Sequence, residues 1–532
     1  MAKVQVAPSV AEGAVGTVHQ RWNRLDGNRT AVLVRGRECS AVTIPALLPP
    51  LGANETTELP TPFQGLGARG VNNLASKLLM ALLPPNAPFF KMSLDDFTLE
   101  KLTGKDGMRA EVDLALNKIE RAVMTEIETT AARVPCFTAL KYLVTVGNAL
   151  LYMPEDGMRV FRLDHYVVKR DPMGKVLEII IKESISQILL PDGVKVVTKG
   201  DGINDNVDIY TRVIRKKQKK GRRMWEVCQE ANGIVVPGSQ GTYPIDQCPW
   251  IPLRWTAVDG EDYGRGLVEE YLGDLLSLEA LSQAIVEGSA AAAKVLFLNN
   301  PNGTTRTKKV AEAANGAFVD GNAADITVLQ LNKFNDFRVA LETITKIEQR
   351  LSQAFLLMSA IQRNAERVTA EEIRQMVSEL EDALGGVYSV LSQELQLPLI
   401  KGYMARMTKR GDLPPLPNDK IKPMITTGLE ALGRGNDLNK LKGLLEVLAP
   451  LGPKVIEEYL NVSDYITRAV TALGISEPGL VNTQETVAAN RQQNMVMQAA
   501  QAAAPGAIGH IAKGMVDQAN NPTQPPTEGA PQ

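Results

Sequence analysis

The chain has 532 residues, a formal net charge of −2 at pH 7, 44% hydrophobic residues and 22% charged residues. This length exceeds one core of roughly 100–200 residues, so two or more domains are expected, and the near-zero charge excludes a global attraction to nucleic acid. The sequence lacks both an apolar run of about 18 residues, which a membrane span needs, and a signal-peptide start, so synthesis and folding in the cytoplasm are expected.

Residues that commonly carry catalysis or hold metal ions are few and scattered. No zinc-protease, nucleophile-elbow or P-loop motif occurs, and adjacent carboxylates such as Glu371 and Glu372 point apart on a helix. The cysteines and histidines show no metal-site spacing: Cys39, Cys136, Cys228, Cys248, His19, His165 and His510. The sequence therefore predicts a reduced intracellular assembly environment, no metal site, no cofactor and no enzymatic activity.

Residues 1 to about 260 predict one α+β domain. Helices are expected at about 70–83, at about 106–132, and from near Cys136 through Leu151, because apolar residues recur at helical spacing. The period then changes to that of strands, at 161–169, 176–184, 208–215 and 224–236. A basic run at a hairpin tip could contact phosphate, although a solvated loop is the more ordinary interpretation: Arg212, Arg215, Lys216, Lys217, Lys219, Lys220, Arg222 and Arg223.

A helix, a small α/β insert and a returning helix are predicted next. Helix 264–294 carries one apolar face, and helix 334–358 carries another: Leu267, Tyr271, Leu275, Leu278, Leu281 and Ile285, then Phe337, Leu341, Ile344, Ile347, Leu351 and Phe355. Short strands at 295–298 and 326–329 enclose a turn-rich segment. This order indicates a stalk that carries a head, but two helices with an ordinary β excursion fit the periodicity equally well.

A polar, charged loop leads into a helix that contains two glycines. Thr369 and Glu372 form a capping box at its start. Gly385 and Gly386 lie within its apolar stripe and Pro398 lies near its end, and each is expected to bend or loosen the helix. An ordinary core helix with two tolerated glycines is the alternative.

The segment from Gly65 to Gly70 matches the GxGxxG pattern of dinucleotide-binding loops. Such a loop needs a buried strand immediately before it and a βαβ unit around it, whereas a proline-containing segment with no strand pattern precedes Gly65. Close packing of a helix explains Gly65, Gly67 and Gly70 more simply than a cofactor does. A dinucleotide-dependent enzyme remains the least favoured alternative.

The first predicted stalk helix is acidic. No Lys or Arg occurs between Arg265 and Lys294, and its carboxylates are Glu269, Glu270, Asp274, Glu279 and Glu287. Each basic contact with duplex DNA adds a salt-dependent binding term, so an acidic lining would let DNA slide through a passage. Isolated cations on the loop that follows the stalk, Arg363 and Arg367, could then steady it.

Four long stretches resemble the portal proteins, or head-to-tail connectors, of short-tailed phages of the Autographiviridae type. They are TPFQGLGARGVNNLASKL (61–78), DGEDYGRGLVEEYLGDLLSLEALSQAIV (259–286), ERVTAEEIRQMVSELEDALGGVYSVLSQELQLPL (366–399) and TTGLEALGRGNDL (426–438). The resemblance runs in the same order from about residue 15 to residue 480. It implies a mainly α fold with α+β parts, assembled as a dodecameric ring around a DNA channel at a capsid vertex.

The resemblance assigns a region of the portal fold to each part of the chain. It implies a wing at 1–260, a first stem helix at 261–294, a clip at 295–331, a second stem helix at 332–358, a tunnel loop at 359–368, a long kinked wing helix and connector at 369–423, a crown at 424–482, and a partly disordered tail rich in Gln, Ala and Pro at 483–532. The candidate DNA-facing residues are Arg363, Asn364 and Arg367, and the candidate clip contacts are Arg306, Lys308 and Lys309.

The resemblance also implies partners and a location. The partners are further copies of the chain, double-stranded DNA, the terminase large subunit, the tail adaptor, the scaffolding and major capsid proteins and the internal core proteins, with no membrane. The expected location is the head–tail junction of the virion, with assembly in the host cytoplasm. Another ring component of the virion, such as a tail adaptor or an internal ejection protein, is the main alternative.

Overall fold

The computed structural model describes most of the chain from residue 16 to residue 452 and isolated positions beyond. The residues outside the description are 1–15, 55, 86–88, 94–107, 192–193, 195–205, 218–222, 293–295, 330–333, 358–377, 381, 385, 414–423, 428–433, 453–459, 461, 463–464, 467–468 and 470–532. The chain divides into two compact units between Leu432 and Gly433. The predicted mixture of helices and sheets is confirmed.

The first unit contains the helices α1 (Val18–Asn28), α2 (Thr30–Ala41), α3 (Leu66–Leu82), α4 (Met108–Thr129), α5 (Arg133–Val146), α6 (Leu267–Glu270), α7 (Leu272–Ala292), α8 (Thr307–Ala311), α9 (Phe334–Ala354), α10 (Val387–Leu391) and α11 (Leu397–Arg410). Its strands are β1 (Phe90–Ser93), β2 (Asn148–Tyr152), β3 (Arg159–Phe161), β4 (Tyr166–Arg170), β5 (Val176–Ser186), β6 (Asn206–Lys217), β7 (Arg223–Ala231), β8 (Ile234–Val235), β9 (Gly241–Pro244), β10 (Trp250–Arg254), β11 (Leu296–Asn299), β12 (Ile326–Leu329) and β13 (Met424–Thr427).

Helix α3 lies in the main hydrophobic core. Leu74, Leu78 and Leu82 recur one turn apart on its buried face and are fully shielded from solvent. The helix begins earlier than the predicted start at residue 70. It ends just before Pro84, where a ring without an N–H cannot continue the hydrogen-bond ladder.

A six-stranded antiparallel sheet forms the second layer, in the order β4-β5-β6-β7-β8, with β9 also paired to β7. Ile179 and Ile181 of β5 face the main core, whereas Ile180 packs with Trp22 of α1 on the other face. This alternation is the two-residue period of a strand covered on both sides. The strands predicted at 176–184 and 208–215 are confirmed. The one predicted at 161–169 is interrupted by a 3-10 turn at Leu163–His165, and the one predicted at 224–236 is divided into β7 and β8.

The predicted helix through Leu151 was wrong at its end. Gly147, with φ of +74°, ends α5, and the next residues form β2 instead of another helical turn. Residues Asn148–Tyr152 pair with β10 on one side and with β3 on the other. Apolar spacing alone did not distinguish a buried central strand from a helical continuation, because both faces of β2 are covered.

The predicted helix–insert–helix arrangement is confirmed within the described residues. The first helix is interrupted at Tyr271 between α6 and α7, and the returning helix is α9. Strands β11 and β12 pair antiparallel, joining Leu296 with Leu329 and Asn299 with Ile326. The insert is therefore a small two-stranded tip at the ends of two long helices.

The interrupted helix near Gly386 is longer than predicted. Gly386 has a left-handed φ of +89° and precedes α10, which runs into a π-helical turn at Ser392–Gln396 and then into α11. Pro398 lies at the start of α11, and the helix continues to Arg410 instead of ending near the proline. The wider π turn leaves room where the proline ring would clash with the preceding turn of an α-helix.

The second unit contributes helix α12 (Arg434–Leu448), followed by a 3-10 turn at Ala449–Leu451. The Tyr465 hydroxyl donates a hydrogen bond of 3.1 Å to the carbonyl of Leu441. The crown predicted from residue 424 begins before the boundary of this unit, since β13 pairs with β1 of the first unit. No helix among the described residues is long and apolar enough to cross a membrane.

Candidate functional site

The two long helices α7 and α9 project from the main core. Leu275, Leu278 and Leu351 are buried at their base, and Phe355 closes the base beyond the end of α9. Toward the tip the apolar side chains become exposed, with Val286 at 53% on α7 and comparable values for Val339 and Leu341 on α9. Leu341 was predicted on the buried stripe of its helix, but its side chain is 56% exposed.

The acidic residues of the first stalk helix do not form one open face. Asp274 pairs with Arg350 of α9 at 2.9 Å, and Glu269 pairs with Arg265 at 2.9 Å. Glu279 accepts hydrogen bonds from the backbone N–H groups of residues 63 and 64, at 2.8 and 3.2 Å. Three of the five predicted carboxylates therefore hold the protomer together, while Glu270 and Glu287 are exposed.

The buried carboxylate of Asp325 organises the tip. It accepts hydrogen bonds from the N–H and the hydroxyl of Thr305, at 3.0 and 2.8 Å, and these bonds lower the pKa of Asp325. Thr305 in turn accepts a hydrogen bond from the N–H of Asn322 at 2.7 Å. A Cβ on Gly303 would lie 2.4 Å from the Asp325 carboxyl carbon, so a side chain there would displace this carboxylate.

The candidate clip contacts lie beside this cluster. Arg306 precedes α8, whereas Lys308 and Lys309 lie on it, and all three side chains are exposed. The same tip exposes the aromatic rings of Phe297 and Phe318, at 70% and 106%. The tip thus presents cations and apolar rings together, a combination suited to protein contact.

The basic run on β6 and β7 is partly neutralised within the protomer. Arg212 and Arg21 both donate to Glu178, at 2.6 and 2.8 Å, and Lys216 pairs with Glu226 across the strands at 2.7 Å. Residues 218–222 of this run lie outside the described part of the chain. The pairs that are described favour a folded sheet surface over a phosphate-binding patch.

The GxGxxG segment is the beginning of a helix and not a loop after a strand. Gly65 is the N-cap of α3, and Gly67 and Gly70 lie inside it. A Cβ on Gly67 would lie 2.5 Å from the carbonyl oxygen of Val42, and one on Gly70 would lie 2.6 Å from the Phe355 ring. For Gly67 and Gly70, the packing explanation is confirmed.

The family model described as "Bacteriophage head to tail connecting protein" matches residues 15–481. The chain belongs to this family. Head-to-tail connecting proteins are components of the phage particle at the junction of head and tail, so this connector is a virion protein of that junction. The resemblance to portal proteins of short-tailed phages is confirmed.

Three relatives of this connector are each named "Portal protein". That of Escherichia phage T7 is 41% identical over 508 residues, covering 94% of this chain and 93% of the relative. That of Enterobacteria phage T3 is 43% identical over 502 residues, covering 92% of both chains. That of Enterobacteria phage SP6 is 30% identical over 496 residues, covering 92% of this chain and 93% of the relative.

Two solved structures are weakly similar to this connector. One is the neck of an empty GTA particle computed with C6 symmetry, with a TM-score of 0.36, 12% identity, and coverage of 76% of this chain and 89% of that chain. The other is the neck of a native GTA particle computed with C12 symmetry, with a TM-score of 0.32, 12% identity, and coverage of 79% and 90%.

Several predicted site residues of this connector lie outside the described residues: Arg363, Asn364, Arg367 and Gly385. Within the part that the structure describes, no group of three or more His, Cys, Asp and Glu side chains is placed to hold a metal ion.

The sequence reasoning missed Asn73 and Lys77, which contact the end of α9. Their polar side chains interrupt the buried side of an apolar helix, and that interruption was the available signal.

Proposed function

We propose that the chain is the subunit of a portal ring, a channel through which phage DNA is packaged and later ejected. Relatives that match over nine-tenths of both chains and are named portal proteins support this function. In the proposed assembly, twelve copies surround the channel, the α7–α9 pair forms the stem, and the β11–β12 tip forms the clip. Residues 1–260 and 369–423 form the wing, and 424–482 form the crown.

The observation that carries ring assembly is the exposure of apolar side chains on two sides of one stem helix. Val339 and Leu341 are 62% and 56% exposed, and residues two positions apart point about 200° apart on a helix. A two-fold dimer would cover one side only. A ring gives each subunit a neighbour on both sides, because its contacts are heterologous.

The clip is proposed to bind the terminase large subunit during packaging and the tail adaptor afterwards. Arg306, Lys308 and Lys309, with the exposed rings of Phe297 and Phe318, supply the contact surface. Residues 359–368 are proposed as the tunnel loop, with Arg363, Asn364 and Arg367 facing DNA. The scaffolding and major capsid proteins and the internal core proteins are the proposed partners inside the head.

Electron microscopy of the purified protein in negative stain tests the ring. We expect particles with a central hole, whereas a monodisperse monomer at high concentration would contradict the proposal. Leu341→Asn should raise the concentration needed for half-assembly by about tenfold or more, because it removes an apolar contact of about 1.5–3 kcal/mol. Thr345→Asn is the matched control, since this exposed polar residue lies one turn further along the same side of α9.

A binding experiment separates a portal from another ring component of the virion. Immobilised rings should capture the terminase large subunit, and changing Lys308 and Lys309 together to Ser should weaken the capture without loss of rings. Rings that bind the tail adaptor alone would favour a tail component. Calorimetry with NAD and NADP tests the alternative of a dinucleotide-dependent enzyme. That alternative requires measurable binding, and the binding must depend on Gly67 and Gly70.

A further inference from the structure

The C-terminal end of the second stem helix adopts a conformation that usually needs glycine. Leu356 has a left-handed φ of +53°. Its N–H donates to the carbonyl of Gln353 at 3.0 Å, and the N–H of Leu357 donates to the carbonyl of Ser352 at 2.8 Å. These two bonds form a Schellman motif, in which glycine normally occupies the left-handed position. A leucine at that position carries backbone strain, so contacts from elsewhere must hold it.

Helix α3 of the wing provides those contacts. The side-chain amide of Asn73 donates to the carbonyls of Phe355 and Leu356, each at 3.2 Å. The ammonium of Lys77, one turn further along α3, donates to the carbonyl of Leu356 at 2.8 Å. Gly70, one turn before Asn73, lets the Phe355 ring lie against the helix. Three successive turns of α3 thus contact one helix end.

The position of Lys77 fits this role electrostatically. Lys77 is only 8% exposed, although lysine rarely lies buried without an acceptor. The C-terminal end of a helix carries partial negative charge, so a cation is favourable beside the carbonyl of Leu356, which directly follows the helix. Burial lowers the pKa of Lys77, and the carboxylate of Glu379 acts in the opposite direction. Lys77 therefore has its acceptor at the carbonyl of Leu356, just before residue 358 in the chain.

We propose that Asn73 and Lys77 are positioning residues, which fix the end of the second stem helix against the wing core. They hold Phe355 and Leu356 in a strained helix end, and so determine where the chain leaves the stem. The positioning of Phe355 and Leu356 follows from these contacts alone. An effect of this positioning on the passage of DNA rests on the proposed function. Neither residue touches DNA in this proposal.

Hydrogen–deuterium exchange on the assembled full-length protein tests the positioning directly. Asn73→Ala and Lys77→Met should each speed exchange in the segment 351–357 by about tenfold, because each removes a hydrogen bond that stabilises the closed helix end. The matched control is Asn72→Ala, since Asn72 is the adjacent residue of the same type and its side chain is exposed. Its exchange should equal that of the unchanged protein. The thermal midpoint, measured in parallel, reports whether a variant is destabilised as a whole.

The outcomes separate this inference from the proposed function. Rings that form normally, with unchanged exchange at 351–357 in both variants, would overturn the positioning role and leave the portal assignment intact. Equal acceleration in Asn72→Ala, or acceleration spread over the whole chain, would also overturn it. Absence of rings in the unchanged protein would instead contradict the proposed function. Heads assembled with Lys77→Met should retain less DNA, and normal retention despite faster exchange would remove the consequence for DNA passage.

Discussion

The Nη2 of Arg254 lies 3.1 Å from the Oε1 of Glu394, which joins the last residue of β10 to the π-helical turn before Pro398. Arg254 is almost fully buried, and Arg170 lies close enough that burial and the Arg254 cation lower the pKa of Arg170 to about 10. Glu394 is therefore a counter-charge for both neighbouring guanidinium groups, and Asp262 is a second one for Arg170. Glu394 connects strand β10 to the helix that contains the π turn.

Removing this counter-charge should weaken the connection between helix and sheet. We expect Glu394→Gln to destabilise the protein by about 1–3 kcal/mol, because the buried Arg254 then faces a neutral amide and Arg170 keeps only the Asp262 carboxylate. Differential scanning calorimetry should show a lower thermal midpoint. Glu155→Gln is the control, since Glu155 pairs with Lys409 on the exposed surface and should leave the midpoint unchanged. Equal effects in both variants would contradict a special role for Glu394.

The three glycines of the GxGxxG segment should respond differently to alanine. Gly65→Ala should change stability by no more than about 0.5 kcal/mol, because a Cβ there meets open space. Gly67→Ala and Gly70→Ala should each cost about 1–3 kcal/mol, since the added carbon overlaps the Val42 carbonyl or the Phe355 ring. Chemical denaturation of the three variants measures this order. A loop that binds a cofactor would instead show altered ligand binding with little change in stability.

The periodic parts of the fold were predictable from the sequence. Two-residue alternation located β5, and the short apolar runs at 295–298 and 326–329 located the paired strands of the tip. Leu151 was misassigned because β2 is covered on both faces, so its sequence lacks alternation. The helix beyond Pro398 was missed because only the three-dimensional structure reveals a π turn.

The candidate site was predictable in its order along the chain but not in its contacts. The first stem helix is acidic, as its sequence shows. Its Glu279, however, accepts hydrogen bonds from the backbone N–H groups of residues 63 and 64, more than two hundred positions away. Such long-range partners depend on how the helices pack, which charge counting does not provide. Lys77 escaped notice for the same reason, since its acceptor is a backbone carbonyl at the end of another helix.

The buried thiols should ionise only at unusually high pH. Burial raises the pKa of Cys39 to about 12 and that of Cys136 to about 12, well above the ordinary value near 9. Folded protein should therefore react slowly with iodoacetamide at pH 8.5, and the rate should keep rising above pH 9 instead of reaching a plateau.

The same shift predicts how stability depends on pH. The pKa of the Cys136 thiol is higher in the folded protein than in the unfolded one. The buried thiol therefore contributes fully to the free energy of unfolding below pH 9, and this contribution is lost as the pH rises toward 12. Mass spectrometry of alkylated peptides and thermal midpoints at pH 8 and pH 10 check both expectations. Rapid labelling of Cys136 in protein with an unchanged midpoint would contradict the assigned burial.

Arg367 provides the most direct test of the proposed channel. Arg367→Ala should leave ring formation intact and should reduce packaging or retention of DNA, because it removes a cation proposed to face the phosphate backbone. The measurement is the DNA content of purified heads, with rings counted separately by electron microscopy. Arg350→Ala is a useful comparison, since Arg350 pairs with Asp274 between the stem helices and its loss should act on stem stability first. If heads made with Arg367→Ala fill and hold their genome normally, Arg367 has a structural role instead. Glu371, four positions further along the sequence, is then its candidate ion-pair partner.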